Sequence, residues 1–166
     1  RVELKIFKLH KEQFVGWPLA EVFSFFERPE NLAAITPQSM GFRIVTPPPI
    51  LMKEGAVFEY SVRVMGIRMR WKSLISEYKP PFRFVDEQVK GPYTFWHHTH
   101  TFTEMHGGTL IGDEVRYAMP FGIIGGMAQR LAVSRQLEYI FSHRSQVMCT
   151  MFGSDNSPAI RQEAHT

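Results

Sequence analysis

From Gly55 to Ala118 the chain reads as a run of hairpins, and this run limits the fold more than any other stretch. Apolar and polar residues alternate along it, and the alternation breaks at Gly66-Ile67, Pro80-Pro81, Gly91-Pro92 and Gly107-Gly108. Gly66-Ile67 fits a two-residue turn with glycine first. That turn sets Val64 opposite Met69, Val62 opposite Trp71, Tyr60 opposite Ser73 and Phe58 opposite Ile75. Glu59, Arg63, Arg70 and Lys72 then share the other face, which must meet solvent. Gly107-Gly108 gives a second such turn, with His98 opposite Tyr117, His100 opposite Val115 and Phe102 opposite Asp113. Thr99, Thr101, Thr103, Glu114 and Arg116 fall on the reverse face, and His97 with them.

The segment Phe82 to Phe102, FRFVDEQVKGPYTFWHHTHTF, carries acid, amide, indole and imidazole groups at positions a sheet normally fills with hydrocarbon. Trp96, His98, His100 and Phe102 face inward, beside Asp113 and Tyr117. Proline is disfavoured at the second central position of a common tight turn, so Gly91-Pro92 belongs to a loop of three or five residues. An odd loop places Phe84, Asp86 and Gln88 on the face of Trp96 and His98. A two-residue loop would place Val85 and Glu87 there instead.

Before the hairpins, Val2 to Phe14 is predicted as a first strand. Residues 18–27 follow as a short helix, with Pro18 in its first turn and Leu19, Val22, Phe23 and Phe26 at helical spacing. A second short helix, Leu32 to Ile35, is capped by Asn31 and ends before Pro37. Phe42 to Thr46 is a short strand. After the hairpins, Val133, Leu137, Ile140, Phe141, Arg144, Met148 and Met151 form one helical stripe. Ile124, Met127 and Leu131 lie roughly opposite it, behind a glycine-rich lead-in around Phe121 to Gly126. Residues from Gly153 onward read as a frayed polar tail, which leaves one domain over 1–152.

The 166 residues suffice for one domain with a real core. No apolar run reaches the roughly 18–20 residues of a membrane span, and no signal peptide precedes the first strand. The chain starts at Arg1 rather than Met, which points to further residues upstream. Cys149 is the only cysteine; with no disulfide partner in the chain it suits a reducing, cytoplasmic location. The net charge of +3 is modest and its lysines and arginines are scattered, which argues against nucleic acid as a partner. A high content of Phe (14) and Met (9) suits the lining of an apolar pocket. There is no Gly-rich phosphate loop, GxSxG or CxxC, so no cofactor is expected.

Strand, two short helices, about six antiparallel strands and a long helix make an α+β order. A curved antiparallel sheet of about seven strands around the C-terminal helix satisfies it, with the short helices closing one end. This order resembles the START-like, pollen-allergen-like superfamily with the helix-grip fold, also called SRPBCC, over about residues 1–152. It looks closest to an uncharacterised bacterial ligand-binding branch of that superfamily. The resemblance is carried by Trp71 with Ser73, FVDEQ at 84–88, GPY at 91–93, WHHTHTF at 96–102, and Asp113, Val115, Tyr117 and Pro120. It implies a cavity for an apolar or amphipathic small molecule and supplies no catalytic set.

The ligand-facing candidates are Tyr60, Trp71, Ser73, Phe84, Asp86, Gln88, Trp96, His98, His100, Phe102, Asp113, Tyr117 and Arg144. His98 and His100 stand about 7 Å apart on one strand face. They serve as bonded core residues, as polar anchors for a ligand, or as metal ligands with Asp113 or Asp86; the spacing does not select the metal, and none is expected. Buried Asp86 and Asp113 need a partner, and Arg144 in the helix stripe is the obvious one. Gln88 is also placed to bond a turn backbone. Cys149 is read as structural.

The leading expectation is binding, and transport, of a hydrophobic or amphipathic small molecule between sheet and helix. One alternative is a polyketide-cyclase- or dehydrase-like or hydrolytic enzyme, with His98 or His100 as acid or base and Asp86 or Asp113 orienting it. The other is a protein-interaction module. Ile124, Met127 and Leu131 either pack on the short helices or form a patch for transient membrane contact or a homodimer.

Overall fold

The computed structural model describes residues 4–119 and 127–153. Its seven strands form one antiparallel sheet in the order β1-β7-β6-β5-β4-β3-β2. They are β1 (Phe7–Val15), β2 (Arg43–Ile44), β3 (Val57–Val64), β4 (Ile67–Lys79), β5 (Arg83–Lys90), β6 (Phe95–Met105) and β7 (Gly108–Ala118). The helices are α1 (Leu19–Phe26) and α2 (Met127–Phe152), with 3-10 segments at Pro29–Ile35 and Gln38–Met40. The sheet is curved and α2 packs against its inner face, which is the helix-grip arrangement. Among the described residues, no helix is long and apolar enough to cross a membrane.

Strand β1 begins at Phe7, five residues later than the sequence suggests; Leu4 and Ile6 are exposed, which accounts for the loose alternation there. Pro18 precedes α1, which buries Val22, Phe23 and Phe26. The second short helix starts at Pro29, and Asn31 does not cap it. The Asn31 amide instead donates to the Phe25 carbonyl at 2.9 Å, tying down the end of α1. At the same end the Tyr78 hydroxyl donates to Glu27 at 2.7 Å. Strand β2 is shorter than predicted because the amides of Val45 and Thr46 both donate to the single Glu59 carbonyl, which breaks the ladder.

Both tight hairpins turn one residue earlier than predicted. Their central pairs are Met65-Gly66 (φ 52° and 81°) and His106-Gly107 (φ 50° and 75°). Two positive φ values make the type I′ turn, whose twist matches that of the strands it joins. Glycine therefore stands second, and both registers shift by two residues. Val64 pairs with Ile67, Val62 with Met69, Tyr60 with Trp71 and Phe58 with Ser73. Likewise His98 pairs with Val115, His100 with Asp113 and Phe102 with Ile111. A slip of two preserves the faces, so the inward set stays inward. Gly108 is glycine for another reason: a Cβ there would come within 2.4 Å of the Val15 carbonyl on β1. The Gly91-Pro92 connection has the odd parity expected, since Phe84 pairs with His100 and Asp86 with His98, but pairing stops at Glu87 and His97, so it is longer than the three or five residues predicted.

Helix α2 buries Leu137, Phe141, Met148 and Phe152. Met151, assigned to the stripe from sequence, is exposed; Phe152 takes the inward position, edge-on to Trp17 and Phe25. Met127 and Leu131 are 84% and 49% exposed, so they do not pack on the short helices. Ile124, the glycine-rich lead-in, Pro120 and the polar tail from 154 lie outside the described residues.

The apolar interior is in two clusters. One gathers α1, Ile35, Phe84, Phe102, Ile111, Met148 and Phe152, and the other gathers Val62, Trp71, Trp96, Val115, Tyr117, Leu137 and Phe141. Along β6, β7 and α2 the residues between the two are His98 and His100, Asp113, and Arg144.

Met65 and His106 hold left-handed backbone that costs an ordinary L-residue roughly 1–2 kcal/mol, which asparagine largely avoids. Met65→Asn and His106→Asn should each stabilise the chain by about 0.5–1 kcal/mol, a rise of roughly 1–4 °C in thermal melts. Gly108→Ala should lower the melting temperature by forcing β1 away from β7.

Candidate functional site

The site begins with the pairing of three strands. Strand β6 projects His98 and His100 inward; β5 sets Asp86 beside His98, and β7 sets Asp113 beside His100. The short contacts run along the diagonals. His98 Nε2 lies 2.7 Å from Asp113 Oδ1, and His100 Nε2 lies 2.6 Å from Asp86 Oδ2. The second nitrogens are farther off, His98 Nδ1 3.6 Å from Asp86 Oδ2 and His100 Nδ1 3.4 Å from Asp113 Oδ1. The two rings sit 3.7 Å apart between centroids. From α2, Arg144 Nη1 donates to Asp113 Oδ1 at 3.3 Å. The Arg144 guanidinium also lies over the Phe141 ring at 5.0 Å.

These groups are buried, and burial opposes every charge among them. For Asp113, burial pushes the carboxyl up, but hydrogen bonds from His100 and His98 and the Arg144 charge hold it well below the usual range. Burial also raises Asp86, and the charge of His98 with the hydrogen bond from His100 brings it below its ordinary value. The histidines separate. Burial and the neighbouring His100 push His98 down, whereas for His100 the bonds to Asp113 and Asp86 outweigh burial and push it up. One protonated histidine of the two suffices to balance two carboxylates and one guanidinium to zero net charge.

A cavity of about 130 Å³ opens beside this cluster, between the sheet, α2 and the 3-10 segments. Of the residues singled out from sequence, Tyr60, Trp71, Ser73, Phe84, Asp86, Trp96, His98, His100 and Arg144 line it. Gln88 does not: its side chain bonds the Tyr93 amide and carbonyl at 3.0 and 2.7 Å and braces the loop. Phe102 packs against Phe23, Phe26 and Phe84 in the core, and Tyr117 stacks on Phe7. Asp113 sits behind the histidines and borders a separate gap of about 10 Å³. Tyr60, Trp71 and Trp96 make a continuous aromatic wall, with centroids 5.7 and 5.1 Å apart.

Sequence reasoning missed Gln136, Met40 and Phe42 in the lining. Gln136 lies beside the apolar stripe of α2, where polarity alone marks a residue as outward. Met40 belongs to the second 3-10 segment, for which no periodicity gives a signal. Three atoms of lining residues, Trp71 Nε1, Gln136 Oε1 and Arg144 Nε, are buried without a hydrogen-bond partner among the described residues. Asp86, His98 and His100 offer donor atoms that lie within 4.8 Å of one another, so these three side chains can hold a metal ion.

No protein-family model matches the chain, and no curated protein is similar to it in sequence. Solved structures are similar in fold. Protein TTHA0849 from Thermus thermophilus is 16% identical with a TM-score of 0.66, over 89% of this chain and 99% of that one. Protein CV1439 from Chromobacterium violaceum is 12% identical with a TM-score of 0.68, over 90% and 99%. Ginseng major latex-like protein 151 from Panax ginseng is 12% identical with a TM-score of 0.64, again over 90% and 99%. The fold is thus shared with these structures over nearly nine-tenths of the chain, at identities where fold alone carries over.

Asp113→Asn leaves two cationic partners facing a neutral amide, and removing one member of a buried pair costs about 3–5 kcal/mol. Thermal melts at neutral pH should fall by roughly 6–20 °C. The acid limb should also change. Both carboxyls titrate below 3.8 in the folded chain, so their stabilisation is present above that value and is lost as pH falls through the folded values. The variant should therefore lose less stability than the parent across that acid window. Near neutrality the histidines oppose each other. The His100 contribution is present below 6.5 and lost as pH rises through its raised value, whereas that of His98 is present above 6.5 and lost as pH falls.

Proposed function

We propose that the chain binds a ring-sized hydrophobic or amphipathic small molecule in the cavity between the sheet and α2. The observation that carries this reading is a cavity of about 130 Å³ whose mostly apolar walls hold unpartnered Trp71 Nε1 and Gln136 Oε1. An apolar cavity of about 150 Å³ accepts benzene, so a one-ring or compact two-ring ligand matches the space better than a long acyl chain. The indole N–H supplies a donor and the glutamine carbonyl an acceptor. Buried polar atoms left without partners cost about 1–3 kcal/mol each, so a ligand that bonds both gains orientation as well as affinity.

Displacement of a fluorescent naphthalene-type probe, with native mass spectrometry of the purified chain, tests this reading. Micromolar binding is expected, about 8 kcal/mol. Val62 lines the cavity and is buried. Val62→Phe should abolish probe binding while leaving the melting temperature unchanged or higher, because the added ring fills existing space. Retained binding in that variant would place the probe elsewhere.

A second reading, acid–base conversion of the bound molecule, is favoured by one observation: two histidines line the cavity, each bonded to its own carboxylate, and their surroundings push their pKa values in opposite directions. His98 would then act as base and His100 as acid. A ring ketone incubated with the chain in D2O should gain deuterium beside the carbonyl, and His98→Gln should stop the gain while the fold persists. Binding without exchange would leave the carrier reading alone.

A further inference from the structure

We infer that Asp86, His98 and His100 form a site for a divalent first-row transition metal, with coordination positions open to the cavity. The inference deepens the small-molecule reading of the same cavity and rests on a separate observation, the direction in which each ring nitrogen points.

Asp113 Oδ1 lies behind both imidazoles. It faces His98 Nε2 at 2.7 Å and His100 Nδ1 at 3.4 Å, and Arg144 Nη1 holds it from the far side at 3.3 Å. A carboxylate only accepts hydrogen bonds, so it takes N–H from those two atoms; without an ion His100 Nε2 also donates to Asp86, and that proton leaves when the ion takes its place. The remaining nitrogens, His98 Nδ1 and His100 Nε2, then turn toward Asp86 Oδ2 on the cavity side, at 3.6 and 2.6 Å. Three donors from two strands converge, and a buried carboxylate backs both imidazoles. Metal-bound histidines use this arrangement: one nitrogen on the ion, the other N–H on an acid that fixes the ring.

The distances suit an ion after a small adjustment. Ligand bonds of about 2.0–2.2 Å require donors roughly 3–3.5 Å apart. The Asp86–His98 separation already lies near that range, and the Asp86–His100 pair has to open by about half an ångström. Two imidazoles and one carboxylate suit zinc, iron, cobalt or nickel rather than calcium or magnesium. Asp86, His98 and His100 line the cavity and Asp113 does not, so the open positions face the space for the ligand.

Charge then narrows the ligand. Asp113 and Arg144 cancel, both histidines are neutral when coordinated, and a divalent ion with Asp86 leaves one positive charge. A ring-sized molecule with an anionic oxygen (a carboxylate, phenolate or enolate) neutralises that charge and fills an open position.

The test uses tag-free full chain stripped with a chelator, titrated with Co2+ by absorption and with Zn2+ by equilibrium dialysis. One ion per chain is expected. Affinity should fall about 100-fold or more in His98→Gln and Asp86→Asn, and about 10–100-fold in Asp113→Asn, whose side chain orients the ligands without touching the ion. His106→Gln, at the distant hairpin turn, should bind as the parent does. Should the cluster variants fail to fold, pulsed EPR of the Cu2+-loaded parent reads the site directly and should show two imidazole nitrogens. Substoichiometric binding, equal affinity in the His98→Gln variant, or an EPR signal without imidazole coupling overturns the inference and leaves a proton-filled hydrogen-bond cluster. Benzoate separates this from the broader reading: it should bind the zinc-loaded chain at least about tenfold more tightly than the stripped chain, while the neutral naphthalene probe binds both alike. Equal benzoate affinity overturns the anionic-ligand assignment; failure of the neutral probe overturns the cavity reading and not the metal site.

Discussion

One oxygen, Asp113 Oδ1, accepts from His98 and Arg144 at 2.7 and 3.3 Å and faces His100 at 3.4 Å. A buried carboxylate is unfavourable unless its lone pairs are met, and here they are met from β6 and α2 at once. This contact joins the middle of the sheet to the middle of the long helix, where apolar packing alone would let the helix slide or rotate. Removing it would expose an uncompensated cation on each side. The arrangement of the histidines, and therefore of everything that faces the cavity, depends on that acceptor.

The polar belt divides the interior. On β6 the inward residues run Trp96, His98, His100, Phe102; on β7, Tyr117, Val115, Asp113, Ile111; on α2, Leu137, Phe141, Arg144, Met148. Each series passes from one apolar cluster, through charge, to the other. The cluster beneath α1 is closed by interlocking phenylalanines, Phe23, Phe26, Phe84 and Phe102 among them. The other cluster is walled by larger, flatter rings, Trp71 and Trp96 among them, and the cavity runs along these and past the charged belt to Phe26, Phe58 and Phe84. A hollow with a polar band in its wall is the geometric outcome of placing a fixed ionic layer across an incompletely filled core.

Much of this was legible from period and turn chemistry. The inward positions of Trp96, His98, His100 and Asp113 follow from strict alternation, and the odd loop at Gly91-Pro92 follows from what proline forbids. Arg144 stood out because a charge in an apolar stripe demands a partner. The pairing of individual residues was not legible: glycine serves the first position of one tight turn and the second of another, and only the twist of the strands decides between them. Nor does alternation say which inward residues meet a cavity and which meet each other. Phe102 and Phe84 share a face, yet Phe84 lines the hollow and Phe102 is sealed beneath α1. Gln136 carried no signal because its neighbours in sequence set the helix phase, and its inward amide depends on how α2 is seated.

The two-residue slip between the expected and observed β6–β7 pairing has a meaning for folding. Hydrophobic alternation has a period of two, so it scores both alignments equally and cannot choose between them. In the rejected alignment Asp113 lies across from Phe102 instead of His100, and His98 is left without its carboxylate partner on β7. Stranding a buried charge costs several kcal/mol, comparable with the whole stability of a domain this size. The ionic layer thus works as a vernier mark on an otherwise repeating scale: together with the twist of the turn it favours one alignment of these strands.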